Sequence, residues 1–523
     1  MSEYVNNFES AYFTNKKMQY TKQFLHLGLI FILVSCGSKT KNSTAEEPSV
    51  SKPNIVVIYA DDLGYGDVSS YGSTELITPN IDRIANEGMK FTNGYATSPT
   101  CTPSRFSLLS GIYPFRSQRA KVLAGNAPLL FEVGKQTLPS MLQDAGYFTG
   151  VVGKWHLGLG DENMDWNKEI KPGPLEIGFN YSYVMASTND RVPSVYVKNH
   201  HIDGLDPKDP IEVSYRENFE GEPTGKENPE LLKVHPSHGH DQSIHNGISR
   251  IGYMRGGKAA LFIDEDMNDD FLKEAKKFIN EHKDQPFFLF YSLHQPHVPR
   301  IPHPRFAGKS GLGPRGDVIL EADWAVGQFL DELDRLGLAE NTIVVFSSDN
   351  GPVLDDGYED EAITKIGKHT PLGGLRGGKY SKFDAGTHVP FMVRWPAQIK
   401  PGISDALVCQ IDFTASFASL VGQENLTPDS ENILDALIGK SKVGRESLIL
   451  GSEGLTTYRK GEYILIPPQK GAKRNWVDHE TGNDSIMQLY NVKEDRGQQF
   501  NIAEQHPERV RGMLDEIEII RNR

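Results

Sequence analysis

The sequence predicts an α/β sandwich, with a large, mostly parallel central sheet flanked by helices and a smaller C-terminal α+β domain behind it. Two observations predict the sandwich. Short apolar, β-branched runs alternate with stretches of helical periodicity up to about residue 423, and acidic or basic residues gather just past the ends of those runs. A third observation, the change beyond about Glu424 to short strand-like pieces and a last helical run, predicts the second domain.

At the N-terminus, Lys16, Lys17 and Lys22 precede FLHLGLIFILVS, an apolar run short for a membrane span and suited to a signal-peptide core. It ends in Leu33-Val34-Ser35-Cys36, which resembles the lipobox of bacterial lipoproteins, where the cysteine is lipidated and becomes the mature N-terminus. A cleaved secretory signal without lipid is the alternative. Met18 would be a more ordinary start. Residues 37–53 are Ser/Thr/Lys/Glu-rich and read as a flexible tether. The expectation is an exported protein, lipid-anchored in the bacterial cell envelope on the periplasmic or surface face of the outer membrane.

The folded part opens with PNIVVIYADD, in which Asn54 to Tyr59 have the character of a strand buried on both faces, ending at Asp61 and Asp62. TPNIDRIANEG follows as a helix, with Pro79 at its start, Ile81, Ile84 and Ala85 on one face and Gly88 as a stop. TLPSMLQDAGY reads as a helix and TGVVGKW as a strand. A helix around 269–281, strand PFFLFYSL, helix VILEADWAVGQFLDELDRLG, and strands NTIVVFSSDNG and VPFMVRW complete the pattern. Residues 190 to about 266, rich in Pro, His, Glu and Asp, interrupt it as an insertion over one face of the sheet within a catalytic domain of 54–423. SLILGS, EYILIP and the helical run PERVRGMLDEIEIIR make up the domain of 424–523.

The chain has 523 residues, 38% of them hydrophobic and 24% charged, enough for a sizeable core. Its net charge of -14 argues against nucleic acid as a partner and requires a local basic cluster for any anionic ligand. Of three cysteines, Cys409 lies in the apolar ALVCQIDF, the context of a buried inert thiol. Cys101 lies instead in a polar turn, SPTCTPSRFSLLSG.

In a parallel sheet, Asp61, Asp62, Asp349 and Asn350 would share one edge, because each pair follows a strand. All-oxygen ligands suit a hard cation, Ca²⁺ or Mg²⁺, although Asp-Asp-Leu-Gly and Asp-Asn-Gly are equally good turns. Arg105 follows Cys101 by one helical turn. Lys154 and His156 lie in GKWHLG, His297 in HQPHVP and Lys379 in RGGKYSKFDAGTHVP. Each alone reads as a solvated charge or a structural histidine. Together, a hard metal, fixed cations and two histidines suit a tetrahedral oxyanion.

Cys101-Thr102-Pro103-Ser104-Arg105 with FSLLSGIYP resembles the signature of the type I sulfatases, members of the alkaline-phosphatase-like superfamily. ADD, GKWHLG, DNG and a closing LYNVKEDRGQQFNIAEQHPE are similar to the family in the same order. The resemblance implies that Cys101 is oxidised to Cα-formylglycine by a formylglycine-generating or anaerobic sulfatase-maturating enzyme. It implies one Ca²⁺ held by Asp61, Asp62, Asp349, Asn350 and the modified residue 101. It further implies that Arg105 and Lys154 steady the hydrated aldehyde and that His156 is the base expelling sulfate. Lys379 and His297 would bind sulfate and protonate the leaving oxygen, in an order left open. Ser187 is a loosely aligned candidate at the sulfate.

Arg191, in Asn189-Asp190-Arg191, and His235, His238 and His240 in the insertion are candidates for sugar recognition, with a second metal or an ordinary polar loop as alternatives. The implied activity is hydrolysis of sulfate esters on sulfated oligo- or polysaccharides, algal (ulvan, carrageenan) or glycosaminoglycan. A phosphoester hydrolase of the same superfamily and a non-catalytic glycan-binding lipoprotein are the other readings.

Overall fold

Ten strands line up in one sheet in the order 402–409, 89–95, 391–394, 342–348, 54–60, 287–292, 148–154, 181–185, 196–198 and 201–202. The computed structural model describes residues 52–452 and 456–523, so the lipobox, Cys36 and nearly all of the 37–53 tether lie outside the described residues. The Asn54–Ala60 strand runs parallel to both neighbours, Thr342–Ser348 and Phe287–Ser292, and the parallel run continues through Phe148–Lys154 to Tyr181–Met185. Phe391–Arg394 is antiparallel to the strands on either side.

The near-continuous apolar character of these strands has a direct cause: both faces are covered. On one face Ile55, Val57 and Tyr59 join a core built with the helices Cys101–Ser110, Leu138–Asp144 and Phe413–Val421. On the other, Val56, Ile58 and Ala60 pack against the helices Pro79–Asn86, Met267–His282 and Gly313–Arg335. Burial at about 25 cal/mol per Å² of apolar surface is the main force holding these layers together. Among the described residues, no helix is long and apolar enough to cross a membrane.

The 190–266 segment does more than overlie the sheet. Tyr196–Lys198 and His201–Ile202 extend its edge by two antiparallel strands, while the rest forms short two-stranded pieces. Toward the C-terminus, four antiparallel strands, Ser447–Leu450, Thr457–Lys460, Tyr463–Ile466 and Gln488–Asn491, form a small sheet. The helix Pro507–Asn522 covers it through Met513 and Ile517, which share a core with Leu448 and Leu465. Ile433, Ala436 and Leu437, just before this sheet, belong instead to the core of the large one.

Candidate active site

The carboxyl ends of the parallel strands deliver the site. Asp61 and Asp62 follow Ala60, Asp349 and Asn350 follow Ser348, Lys154 closes its own strand, and His297 lies five residues past Ser292. All six are buried. Gly153, just before the lysine, lets its strand lie close against the neighbouring one: its φ is +114°, and a Cβ there would lie 1.8 Å from the Ser292 carbonyl oxygen. Cys101 is the first residue of the Cys101–Ser110 helix, so the helix's positive end faces the carboxylates.

Asp61, Asp62, Cys101 and Asp349 each offer a ligand atom within 4.8 Å of the others. Two oxygens here are unused: Asp61 Oδ1 and Asn350 Oδ1 are buried without a hydrogen-bond partner, whereas Asn350 Nδ2 donates to Asp62 Oδ1 at 2.7 Å. Buried polar atoms are ordinarily satisfied, so two orphaned oxygens beside a cluster of carboxylates at metal-ligand spacing make this a group that could hold a cation. Hard carboxylate and amide oxygens suit calcium, and a thiol at position 101 is the one mismatched donor.

Cations ring these acids. Arg105 donates from Nε and Nη2 to Asp349 Oδ2 at 3.0 and 2.8 Å and from Nη1 to Ser292 Oγ at 2.6 Å. Lys154 Nζ donates to Asp61, and Lys379 Nζ to Asp62 at 2.8 Å and Asp356 at 2.7 Å. Burial raises the Asp61 carboxyl well above its usual range, reinforced by Asp349. At Asp62 burial pushes the same way, but Lys379 and Lys154 prevail and hold it below. Burial, which outweighs the lowering effect of Lys154 and Lys379 and is reinforced by Asp349 and Asp61, drives Cys101 up to about 12, leaving a neutral thiol with little nucleophilic character.

Two histidines are oriented by backbone carbonyls. His156 Nε2 lies 3.0 Å from the Leu123 carbonyl oxygen, so it carries the proton and Nδ1, buried without a partner, keeps its lone pair. Burial and then Lys154 lower its pKa well below the ordinary value. His297 is the reverse: Nδ1 donates to Val298 O at 2.7 Å, and Nε2 faces Asp62 at 3.9 Å. Asp62, His297 and Asp356 also lie at metal-ligand spacing, but the Lys379 ammonium bonds both carboxylates and occupies that position. A second metal ion, which the phosphoester alternative calls for, has its place taken by a fixed cation.

The sulfatase family matches residues 53–423 of this sequence, 371 of its 523 residues. The chain belongs to the sulfatase family. It is 49% identical over 94% of its length to an N-acetylgalactosamine-6-O-sulfatase of Bacteroides thetaiotaomicron, covering 98% of that protein. It is also 29% identical to human arylsulfatase A, with 86% and 83% of the two chains aligned. A solved sulfatase from work on glycosaminoglycan metabolism by Bacteroides thetaiotaomicron superposes with a TM-score of 0.89 at 50% identity, over 90% of this chain and 100% of that one.

The sulfatase fold thus brings together Asp61, Asp62, Cys101, Arg105, Lys154, His297, Asp349, Asn350 and Lys379, with His156 alongside: Thr102 Oγ1 donates to its carbonyl at 3.0 Å. Ser187 is buried beside GKWHLG, where Trp155 and His156 donate their N–H groups to Met185 and Ala186, and its Oγ has no partner. Arg191 Nη1 donates to Asp190 at 2.8 Å and to Thr188 Oγ1 at 2.6 Å. His240 Nε2 holds the same Asp190 at 3.0 Å. His238 is half-exposed at Ser237, His235 is exposed, and the 235–240 histidines form no metal-sized cluster among the described residues. Cys101 and Cys409 are both free thiols.

Sequence reasoning missed Asp356 and Tyr380. Both lie in irregular chain, where no periodicity points inward; the available signals were the Asp355-Asp356 pair shortly after DNG and, for Tyr380, its place next to Lys379.

Proposed function

We propose that this sulfatase removes the 6-O-sulfate of N-acetylgalactosamine-type residues in oligosaccharides from glycosaminoglycan-like glycans, using Cys101 matured to formylglycine and one Ca²⁺. The observation that carries this reading is the buried oxygen ring of Asp61, Asp62, Asp349 and Asn350 closing on Cys101, with three cations around it. The sugar and its position rest on the half-identical Bacteroides thetaiotaomicron relative, aligned over almost the whole of both chains.

The oxygen donors and the two orphaned oxygens fit calcium, which when bound would hold and polarise the sulfate. Hydrated formylglycine would supply one hydroxyl to attack sulfur and a second whose deprotonation releases sulfate. The chain's own groups do the rest. Arg105 and Lys154, fixed by Asp349, Ser292 and Asp61, present donors at residue 101. The free Nδ1 of His156 accepts the proton of the second hydroxyl. Lys379, kept charged by Asp356 and Asp62, binds sulfate and has a proton to give the leaving sugar oxygen, whereas His297, neutral with its proton on Nδ1, can act there only after Nε2 takes up a proton.

Cys101, Pro103 and Arg105 are all buried, so a formylglycine-generating or anaerobic sulfatase-maturating enzyme meets this segment before it folds. Lys16, Lys17, Lys22 and the lipobox support an exported lipoprotein anchored through Cys36.

The test is mass spectrometry of the Cys101 peptide from a host with maturation machinery, together with sulfate release from N-acetylgalactosamine 6-sulfate and 4-sulfate. The expected result is aldehyde or its hydrate at 101 and turnover of the 6-sulfate only. Thiol alone at 101 in active enzyme, or preference for the 4-sulfate, would overturn the reading.

A further inference from the structure

Beside the site, residues 470–480 leave the small C-terminal sheet and lean over the segment that carries Lys379. The loop is pinned to that segment. His479 Nδ1 lies 3.0 Å from the Lys379 carbonyl oxygen, and a Cβ on Gly378 would lie 2.6 Å from the His479 ring. Its turn is built on Asn475, whose Oδ1 accepts the N–H groups of Val477 and His479 at 3.2 and 2.8 Å.

At the tip of this held turn Trp476 is 66% exposed. An exposed indole alone is ordinary; what distinguishes Trp476 is its place, on a turn pinned to the segment that carries Lys379. Its neighbour is Tyr380, 4.8 Å away between ring centroids. Tyr380 donates its N–H to the carbonyl of Pro99, two residues before Cys101, and its hydroxyl to Asp356 at 3.2 Å. The aromatic pair therefore steps outward from the wall of the active site to solvent.

In a chain of net charge -14, Lys470, Lys473 and Arg474 precede Trp476 with no acid between them, and Asp478 and Glu480 follow it. Lys473 and Arg474 make exposed pairs with Asp484 and Asp478 at 3.0 Å, which water and salt leave open to exchange. Exposed Lys470 makes no ion pair among the described residues.

We propose that the 470–480 loop is the subsite for the sugar next to the sulfated one, with Trp476 as stacking platform and Lys470, Lys473 and Arg474 as the rim that selects an anionic ring, a uronate. This rests on the reading of the enzyme as an oligosaccharide sulfatase. An aromatic face matches the apolar C–H face of a pyranose, and the cations match its carboxylate. Trp476 thereby determines which oligosaccharides are used, while the sulfate is handled by the groups around residue 101.

The test compares kcat/KM for N-acetylgalactosamine 6-sulfate with that for a trisaccharide in which the same sulfated sugar, at the non-reducing end, precedes a uronate. Matured wild-type enzyme is expected to prefer the trisaccharide by about tenfold or more. In Trp476→Ala that ratio falls toward one, chiefly through KM, and Trp476→Phe restores part of it. Lys473→Gln with Arg474→Gln lowers the ratio for the uronate trisaccharide and not for one with a neutral second sugar, and the difference shrinks at salt on the order of 0.5 M. An unchanged ratio in Trp476→Ala, with sulfate still released from both substrates, overturns the subsite alone. Release from neither substrate by wild-type enzyme overturns the substrate reading and the subsite with it.

Discussion

Asp356 is the residue on which the geometry of Lys379 turns. The ammonium is shared between Asp62 at 2.8 Å and Asp356 at 2.7 Å, and Asp356 also accepts the Tyr380 hydroxyl. Burial opposes the charge on Lys379, yet Asp356 and Asp62 raise its pKa well above the ordinary value. Replacing Asp356 by Asn keeps an acceptor but removes one counter-charge, so the ammonium moves toward Asp62 and away from the sulfate position. The expected outcome is a fall in kcat/KM of at least about tenfold, or roughly 1.4 kcal/mol of transition-state stabilisation, with the circular dichroism spectrum retained. Wild-type kinetics in Asp356→Asn would show that Asp62 alone positions the lysine. Cys101→Ser tests the neighbouring residue from the other side: serine fits the space but forms no geminal diol, so multiple turnover should vanish with an unchanged melting temperature, checked by sulfate release and thermal scanning. Multiple turnover at the wild-type rate in that variant would refute the formylglycine route.

At the scale of elements, the Asp61–Asp62 turn is held by a support that no motif announces. Asp67 accepts a 2.7 Å hydrogen bond from the Gly64 N–H, two from Arg315 at 2.7 and 2.6 Å, and one from His369 at 2.8 Å. It thus ties the loop after the first strand to the start of the Gly313–Arg335 helix. Burial opposes its charge, but Arg315 and then His369 overcome this and lower its pKa from 3.8 to about 2. Because the folded carboxyl titrates below the unfolded one, its stabilisation is complete above about pH 4 and is lost as pH falls toward 2. Linkage puts that stabilisation at about 2 kcal/mol. Asp67→Asn, which strands a buried guanidinium, should cost about 3 kcal/mol or more in urea unfolding at neutral pH. The gap between variant and wild type should narrow on acidification through that window. A gap independent of pH would assign the effect to packing.

The same elements show what was legible beforehand. Strands such as Asn54–Ala60 and Thr342–Ser348 are buried on both faces, and their apolar runs end in Asp61-Asp62 and Asp349-Asn350, so edge and acids could be read together. The two edge strands of the 190–266 insertion, by contrast, are three and two residues long and carry no period to detect. Asp190 is delivered by a long-range bond, the Ile251 N–H to its carbonyl, which spacing along the chain does not encode.

At the scale of the whole molecule, the proposed ligand set joins two adjacent parallel strands of the sheet, the fourth and fifth of ten, and what fills it acts on the stability of the entire fold. Asp61 and Asp62 extend one strand, and Asp349 and Asn350 extend its parallel neighbour, paired residue by residue from Asn54↔Thr342 to Ala60↔Ser348. Both strands contribute side chains to the cores on each face of the sheet. Three carboxylates converge there with Arg105, Lys154 and Lys379 as counter-charges, and two oxygens stay unsatisfied, so a cation binding the native arrangement adds free energy that the unfolded chain does not share. Mass action makes this about 2.7 kcal/mol at a calcium concentration 100 times Kd. Chelation with EGTA should therefore abolish sulfate release and lower the melting temperature, and calcium in excess of the chelator should restore both in parallel. Asn350→Ala, which removes one orphaned oxygen and the bond to Asp62, should shift the calcium midpoint of both curves to higher concentration. If chelation stops activity while the unfolding curve stays in place, the oxygen ring is not a binding site that couples the two strands, and the metal acts elsewhere in the reaction.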